Sequence, residues 1–148
     1  MLSEKEFRRF AKKVRIMPSG CLVWTGSQIS TGYGNLKIRN SYRLAHRVAY
    51  EHWIGPIPDG LQIDHLCRNR ACVNPSHLEA VTQRVNILRG VGATAENAQK
   101  LECSNGHPYD GENTYFRPDG RGRECRACMR ERNRARYAQA RCRQLTAA

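Results

Sequence analysis

The run Asp64-His65-Leu66-Cys67-Arg68-Asn69-Arg70-Ala71-Cys72-Val73-Asn74-Pro75-Ser76-His77-Leu78 carries two cysteines and two histidines and little hydrophobic periodicity. Its spacing, Cys67-x4-Cys72-x4-His77, sets three soft or borderline ligands in one irregular loop that can wrap a tetrahedral ion. Cys21 can supply a fourth. Four protein ligands close the coordination sphere, so a Cys3His zinc here is structural rather than catalytic. Disulfides explain the seven cysteines less well: the number is odd, and the charged stretch Met1 to Arg15 has no apolar core of an export signal. A cytoplasmic protein is expected.

With 148 residues, 40% of them hydrophobic and 7% aromatic, the chain suits small modules better than one large dry core. Zinc compensates for a small core, contributing on the order of 10 kcal/mol to folding. No run reaches the roughly 20 apolar residues of a membrane span, and none is expected. Lys and Arg number 25 against 13 acids, a formal net charge of +12. That excess predicts a polyanionic partner, nucleic acid before an acidic membrane surface.

Ser3-Glu4-Lys5-Glu6 reads as a capping box for a basic helix to about Arg15, within an N-terminal segment 1–18. Strands are expected at Cys21 to Thr25 and Tyr33 to Arg39. In the second, alternation sets Asn35, Lys37 and Arg39 on one face as candidate DNA contacts, opposite Leu36 and Ile38. Asn40-Ser41 turns the chain back into Tyr42-Arg43-Leu44, and Ala45 to Trp53 has helical spacing. Arg43 and Arg47 are further phosphate-binding candidates, whereas His46 and His52 read as packing or surface residues. After the breaker Gly55 to Gly60 comes a short strand, Leu61 to His65. Leu78 to Val81 is a second, and Thr82 caps a helix Gln83 to Arg89 ended by Gly90. Ser76-His77-Leu78-Glu79 also matches a capping box, which would start that helix earlier. These elements make up a module at 19–92, followed by a small-residue linker at 93–100.

A second ligand set, Cys103-x3-His107-x17-Cys125-x2-Cys128, lies in a segment 101–128. Two short ligand pairs joined by a hairpin-length loop suit a zinc-ribbon-like knuckle. The rival assignment exchanges His107 for Cys142. The tail 129–148 reads as helical, and Arg117 to Arg143 holds ten Arg, three acids and no Lys. Arg favours bidentate phosphate contacts, so Arg130 and Arg134 are candidates for sequence-independent backbone binding. Charge runs are also commonly just solvated surface.

On position alone His65 reads as a half-buried strand residue. Residues 21–89, however, resemble an HNH (His-Me finger, ββα-metal) nuclease domain. The Asp-His-Leu-Cys…Cys-x-Asn-Pro-x-His-Leu pattern is most similar to phage HNH nucleases and the zinc-containing His-Cys box homing endonucleases. That resemblance implies an α+β, ββα-metal fold in which His65 is the general base. It implies that Asn86, 21 residues on, ligates a catalytic metal. Asp64 is a second implied ligand, although the His-Cys box pattern does not require an acid there. Phage members carry C-terminal zinc-ribbon-like elements, which supports the second site. The protein would then be phage-encoded and act in the host cytoplasm, cutting DNA to 5′-phosphate and 3′-hydroxyl ends.

The residue types suit that chemistry. A neutral imidazole can take a proton from water near pH 7. Mg²⁺, or Mn²⁺, can polarise a phosphodiester and stabilise the leaving oxyanion, and Asn86 offers it a neutral oxygen. Two structural Zn²⁺ complete the expected cofactors. The alternative is a zinc-stabilised DNA-binding protein whose HNH scaffold is catalytically silent. A zinc hydrolase of small molecules would need an open metal position, which neither ligand set leaves.

Overall fold

Ser3 opens the first helix, α1 (Glu4–Ala11), through a reciprocal cap: Glu6 N–H donates to Ser3 Oγ, and Ser3 N–H donates to the Glu6 carboxylate. The computed structural model describes residues 2–146, the last three by backbone alone; Met1, Ala147 and Ala148 of the expected end segments lie outside the described residues. The chain divides into two units, Met1–Gly90 and Val91–Ala148.

The first helix is shorter than the sequence suggested. Instead of continuing to Arg15, the chain forms β1 (Val14–Ile16), antiparallel to β2 (Leu22–Trp24) with Val14 opposite Trp24. β-Branched Val14 and Ile16 suit a strand, and Thr25 N–H donates to Lys13 O at 2.7 Å to extend the pairing. The strand partner overrides the local helix signal.

β3 (Asn35–Ile38) pairs with β4 (Ser41–Leu44) in a hairpin whose two-residue turn is Arg39-Asn40. Arg39 sits at φ +51° in that turn, so it leaves the strand and does not extend the Asn35/Lys37 face as expected. Helix α2 (Ala45–Trp53) follows directly and buries Ala45, His46, Val48 and Ala49. The core gathers Phe10, Trp24, Leu36, Ala45, Val48, Ala49, Ile63, Val73 and Leu78, with the Phe10 and Trp24 rings 5.2 Å apart.

β5 (Leu61–His65) and β6 (Leu78–Thr82) then pair antiparallel, from Leu61 opposite Thr82 to His65 opposite Leu78. The cysteine-bearing loop 66–77 joins them and ends in a 3-10 turn, Pro75–His77, capped by Asn74. The capping-box pattern at Ser76 therefore does not start a helix. Thr82 does, accepting from Val85 N–H at the head of α3 (Gln83–Arg89). Two strands and a helix thus follow one another around the cysteine-bearing loop.

In the second unit, residues expected to be linker form α4 (Ala93–Gln99). Its alanines favour helix, and Ala95 is buried. β7 (Thr114–Phe116) and β8 (Arg123–Cys125) form a hairpin that leads straight into α5 (Arg126–Thr146). Every residue from Arg130 to Arg143 is exposed. Among the described residues no helix is long and apolar enough to cross a membrane.

Candidate active site and metal centres

The loop 66–77 that joins the paired strands β5 and β6 brings three potential ligand atoms together, and Cys21 adds a fourth. Those of Cys21, Cys67, Cys72 and His77 all lie within 4.8 Å of one another. His77 Nδ1 is 3.6 Å from Cys21 Sγ and 3.7 Å from Cys72 Sγ. Edges of about 3.5–3.8 Å are what a tetrahedron with ordinary zinc–sulfur and zinc–nitrogen bonds requires. Asn74 ties the loop down: its Nδ2–H donates to Gly20 O at 2.7 Å and its Oδ1 accepts from Ser76 N–H. The thiols are unequal. Burial pushes Cys72 up to about 12, while a hydrogen bond from Ser19 leads the shift of Cys21 below the usual thiol range. A cation that stabilised all three sulfurs as thiolates would meet a tetrahedral set of donors here, which fits zinc.

The second cluster, Cys103, His107, Cys125 and Cys128, is equally tight. Cys103 Sγ lies 3.6 Å from both His107 Nδ1 and Cys128 Sγ. For Cys125, burial opposes ionisation, yet N–H groups of Cys128 and Asn113 bring the thiol down to about 6. Cys128 is pushed up to about 11 by burial and its sulfur neighbours. The imidazole of His107 turns its Nε2 toward Glu131 on α5, 3.7 Å away. Cys142 lies exposed on α5 and is not part of the cluster, so the exchange of Cys142 for His107 is set aside. Both clusters can hold zinc.

Alternation along β5 sends successive side chains to opposite faces. Ile63 and His65 turn toward α2. The His65 ring packs edge-on against His46 at 4.7 Å and lies 5.7 Å from Tyr33. His65 Nε2 is 3.1 Å from Cys72 O. A carbonyl only accepts, so Nε2 carries the proton and the neutral ring keeps its lone pair on Nδ1. Burial lowers the His65 pKa from its ordinary value, against the raising pulls of Cys72 O and Asp64. Both residues of the Asp64-His65 pair are buried, 3% and 5% exposed.

Gln62 and Asp64 turn toward α3. Asn86 Nδ2–H donates to Gln62 Oε1 at 3.1 Å. Asp64 Oδ1 accepts from Arg68 at 2.6 Å. Its Oδ2 is buried with no hydrogen-bond partner among the described residues, the 3.7 Å approach of Arg89 being too long for one. Asp64 and Asn86 therefore share one side of the hairpin, while His65 directs its ring to the other. Oδ2, which lacks a hydrogen bond, and an amide oxygen on the same side suit a hard divalent cation, which would take the place that Arg89 holds beside Oδ2.

The sequence did not single out His46, Arg68 or Arg89 as neighbours of these groups. The helical period of α2 was the available signal for His46, since Ala45, Val48 and Ala49 flank it on the buried side. Arg89 follows Asn86 by three positions and so shares its helix face. For Arg68, held at φ +58° in the loop, no sequence pattern pointed to Asp64.

Of the expected DNA contacts, Asn35 and Lys37 lie on β3, with the Lys37 ammonium 6.0 Å from the Tyr42 ring. Arg43 pairs with Glu51 at 2.7 Å, Arg47 is half-buried on α2, and Arg130 and Arg134 are exposed on α5.

A family model described as HNH endonuclease matches residues 43–88, the stretch containing Asp64, His65, the Cys67–His77 loop and Asn86. A protein of Enterobacteria phage T3, gene 5.3, is 38% identical over 80 residues, which are 49% of this chain and 79% of the relative. Protein 7.7 of Escherichia phage T7 is 34% identical over 84 residues, 54% of this chain and 65% of the relative. Protein 2.8 of the same phage is 30% identical over 80 residues, 53% of this chain and 54% of the relative. No solved structure matches. The matched segment carries the hairpin, the ligand loop and the following helix together, and the chain belongs to the HNH endonuclease family.

Proposed function

We propose that the chain is a divalent-metal-dependent DNA endonuclease with a ββα-metal catalytic hairpin and two structural zinc ions. The observation that carries this reading is the placement on one side of β5 of Asp64, buried with one carboxylate oxygen lacking a hydrogen bond, and of Asn86, bonded to Gln62 two positions before Asp64, with His65 next at the strand's end. Asp64 and Asn86 would hold Mg²⁺ or Mn²⁺, which when bound supplies charge stabilisation for the leaving 3′ oxygen. His65, with its proton fixed on Nε2, takes a proton from the attacking water through Nδ1. Lys37, Arg39 and the α5 arginines hold the DNA backbone. The zinc-ribbon-like hairpin of the second unit anchors α5.

One observation favours a second reading, a DNA-binding protein with a silent scaffold. The His65 ring is buried and faces α2 rather than the Asp64/Asn86 side. Plasmid nicking with zinc-loaded protein separates the two. Endonuclease function predicts Mg²⁺-stimulated nicking that Asn86→Ala reduces by at least roughly tenfold, on the scale of losing a metal contact. Binding without nicking at any Mg²⁺ concentration supports the silent scaffold.

A further inference from the structure

Helix α5 exposes every residue from Arg130 to Arg143, and its arginines are not scattered. At 100° per residue, Arg130, Arg134 and Arg141 fall within about 40° of one another, and Arg132, Arg136 and Arg143 form a second ridge within about 40°. The ridges flank two unequal sectors. The wider contains Glu131, Ala135 and Ala138, and Glu131 turns toward His107 of the zinc cluster. The narrower, on the opposite side, contains Asn133, Tyr137 and Ala140, with Tyr137 77% exposed.

We propose that α5 lies lengthwise in the major groove of duplex DNA, with Asn133, Tyr137 and Ala140 toward the base edges and one arginine ridge against each backbone. This rests on the reading of the chain as a DNA-acting protein and adds which groove, which face and which residues. A helix about 10–12 Å across fits a B-DNA major groove about 12 Å wide. Arginines on both flanks meet phosphates on both walls, and the acid on the far side is kept away from them. From Arg130 to Arg141 the axis rises about 16 Å, on the order of five base pairs. Asn133 is suited to the paired donor and acceptor of an adenine edge. The exposed Arg132–Glu124 pair, 3.2 Å long, contributes little and yields to a phosphate. Like charges four residues apart, such as Arg130 and Arg134, weaken the free helix, and phosphate contact relieves them.

The test uses full-length protein carrying His65→Ala, so that bound DNA stays intact, and two 30-base-pair duplexes of one sequence. In one, every cytosine carries a glucosylated hydroxymethyl group that fills the major groove. The expected result is at least tenfold weaker binding to the filled duplex. Arg130→Gln/Arg134→Gln/Arg141→Gln and Arg132→Gln/Arg136→Gln should each bring that ratio close to one. Ala135→Gln/Ala138→Gln, on the far sector, should keep it, and zinc content should match across all variants. Equal affinity for both duplexes overturns the proposal, as does an undiminished ratio in both ridge variants. Tighter binding to an RNA duplex of the same sequence also overturns it, because the A-form major groove is too narrow for a helix. Failure to bind either DNA duplex at low salt removes the DNA reading itself, and the proposal with it.

Discussion

At the scale of single residues, the two packed imidazoles make stability depend on pH. Burial holds the His46 pKa down to about 3, against an ordinary 6.5, with its ring between Tyr33 and His65. Between those values the unfolded chain binds a proton that the folded chain refuses, so stability rises with pH there. The contribution is complete above about pH 6.5 and is lost as pH falls, at about 1.4 kcal/mol per unit. His46→Phe removes the proton site and keeps a ring at the same place. Chemical denaturation at pH 7.5 and pH 5 should cost the wild type about 2 kcal/mol more than the variant. An identical loss in both proteins would mean that His46 is protonated in the folded state.

At the scale of elements, the cysteine loop and the hairpin it joins depend on one another. Cys72→Ser removes a buried ligand, and since structural zinc binding is coupled to folding, it should abolish cooperative unfolding of the first unit. Cys142→Ser should leave zinc content unchanged. Metal analysis of the purified protein should find about two zinc per chain, and one or none would contradict the paired clusters. Thr82→Ala should destabilise by about 1 kcal/mol through loss of the α3 cap, read as a lower denaturation midpoint.

These elements differ in how far the sequence revealed them. β5 and α3 were legible to their end residues because breakers and a cap bound them: Gly60 before the strand, Thr82 and Gly90 around the helix. Cys67, Cys72 and His77 were legible from their spacing, whereas Cys21 joins them from 46 residues away, and spacing left His107 and Cys142 as rivals until the fold gathered His107 with Cys103, Cys125 and Cys128. β1 was not, because its stability comes from Trp24, ten residues away, rather than from its own short sequence. Arg39 was read as strand because alternation says nothing of a positive φ. The opposite directions of Asp64 and His65 follow from strand geometry, but the partners awaiting each side chain are set by tertiary packing.

At the scale of the whole molecule, charge and chemistry occupy different stretches of chain. The ligand loop and the Asp64-His65 pair lie in the first unit, and the arginine helix lies in the second. Removing residues 129–148 leaves all eight candidate zinc ligands and should weaken DNA affinity far more than the cleavage rate at saturating DNA. If four of the lost arginines neutralise phosphates, the slope of log K against log salt flattens by about 3–4 units. The effect should be similar on unrelated duplexes for the backbone part of that affinity. An unchanged slope would assign DNA engagement to Lys37, Arg39 and α1.

Nicking of supercoiled plasmid in Mg²⁺ tests most directly whether His65 acts as the general base of DNA hydrolysis. His65→Ala should nick at least roughly 10²-fold more slowly than wild type, the usual scale for losing a general base. Its DNA affinity should stay within a few-fold, because the imidazole is buried and offers no charge to the DNA backbone. Equal nicking by the two proteins would contradict the account.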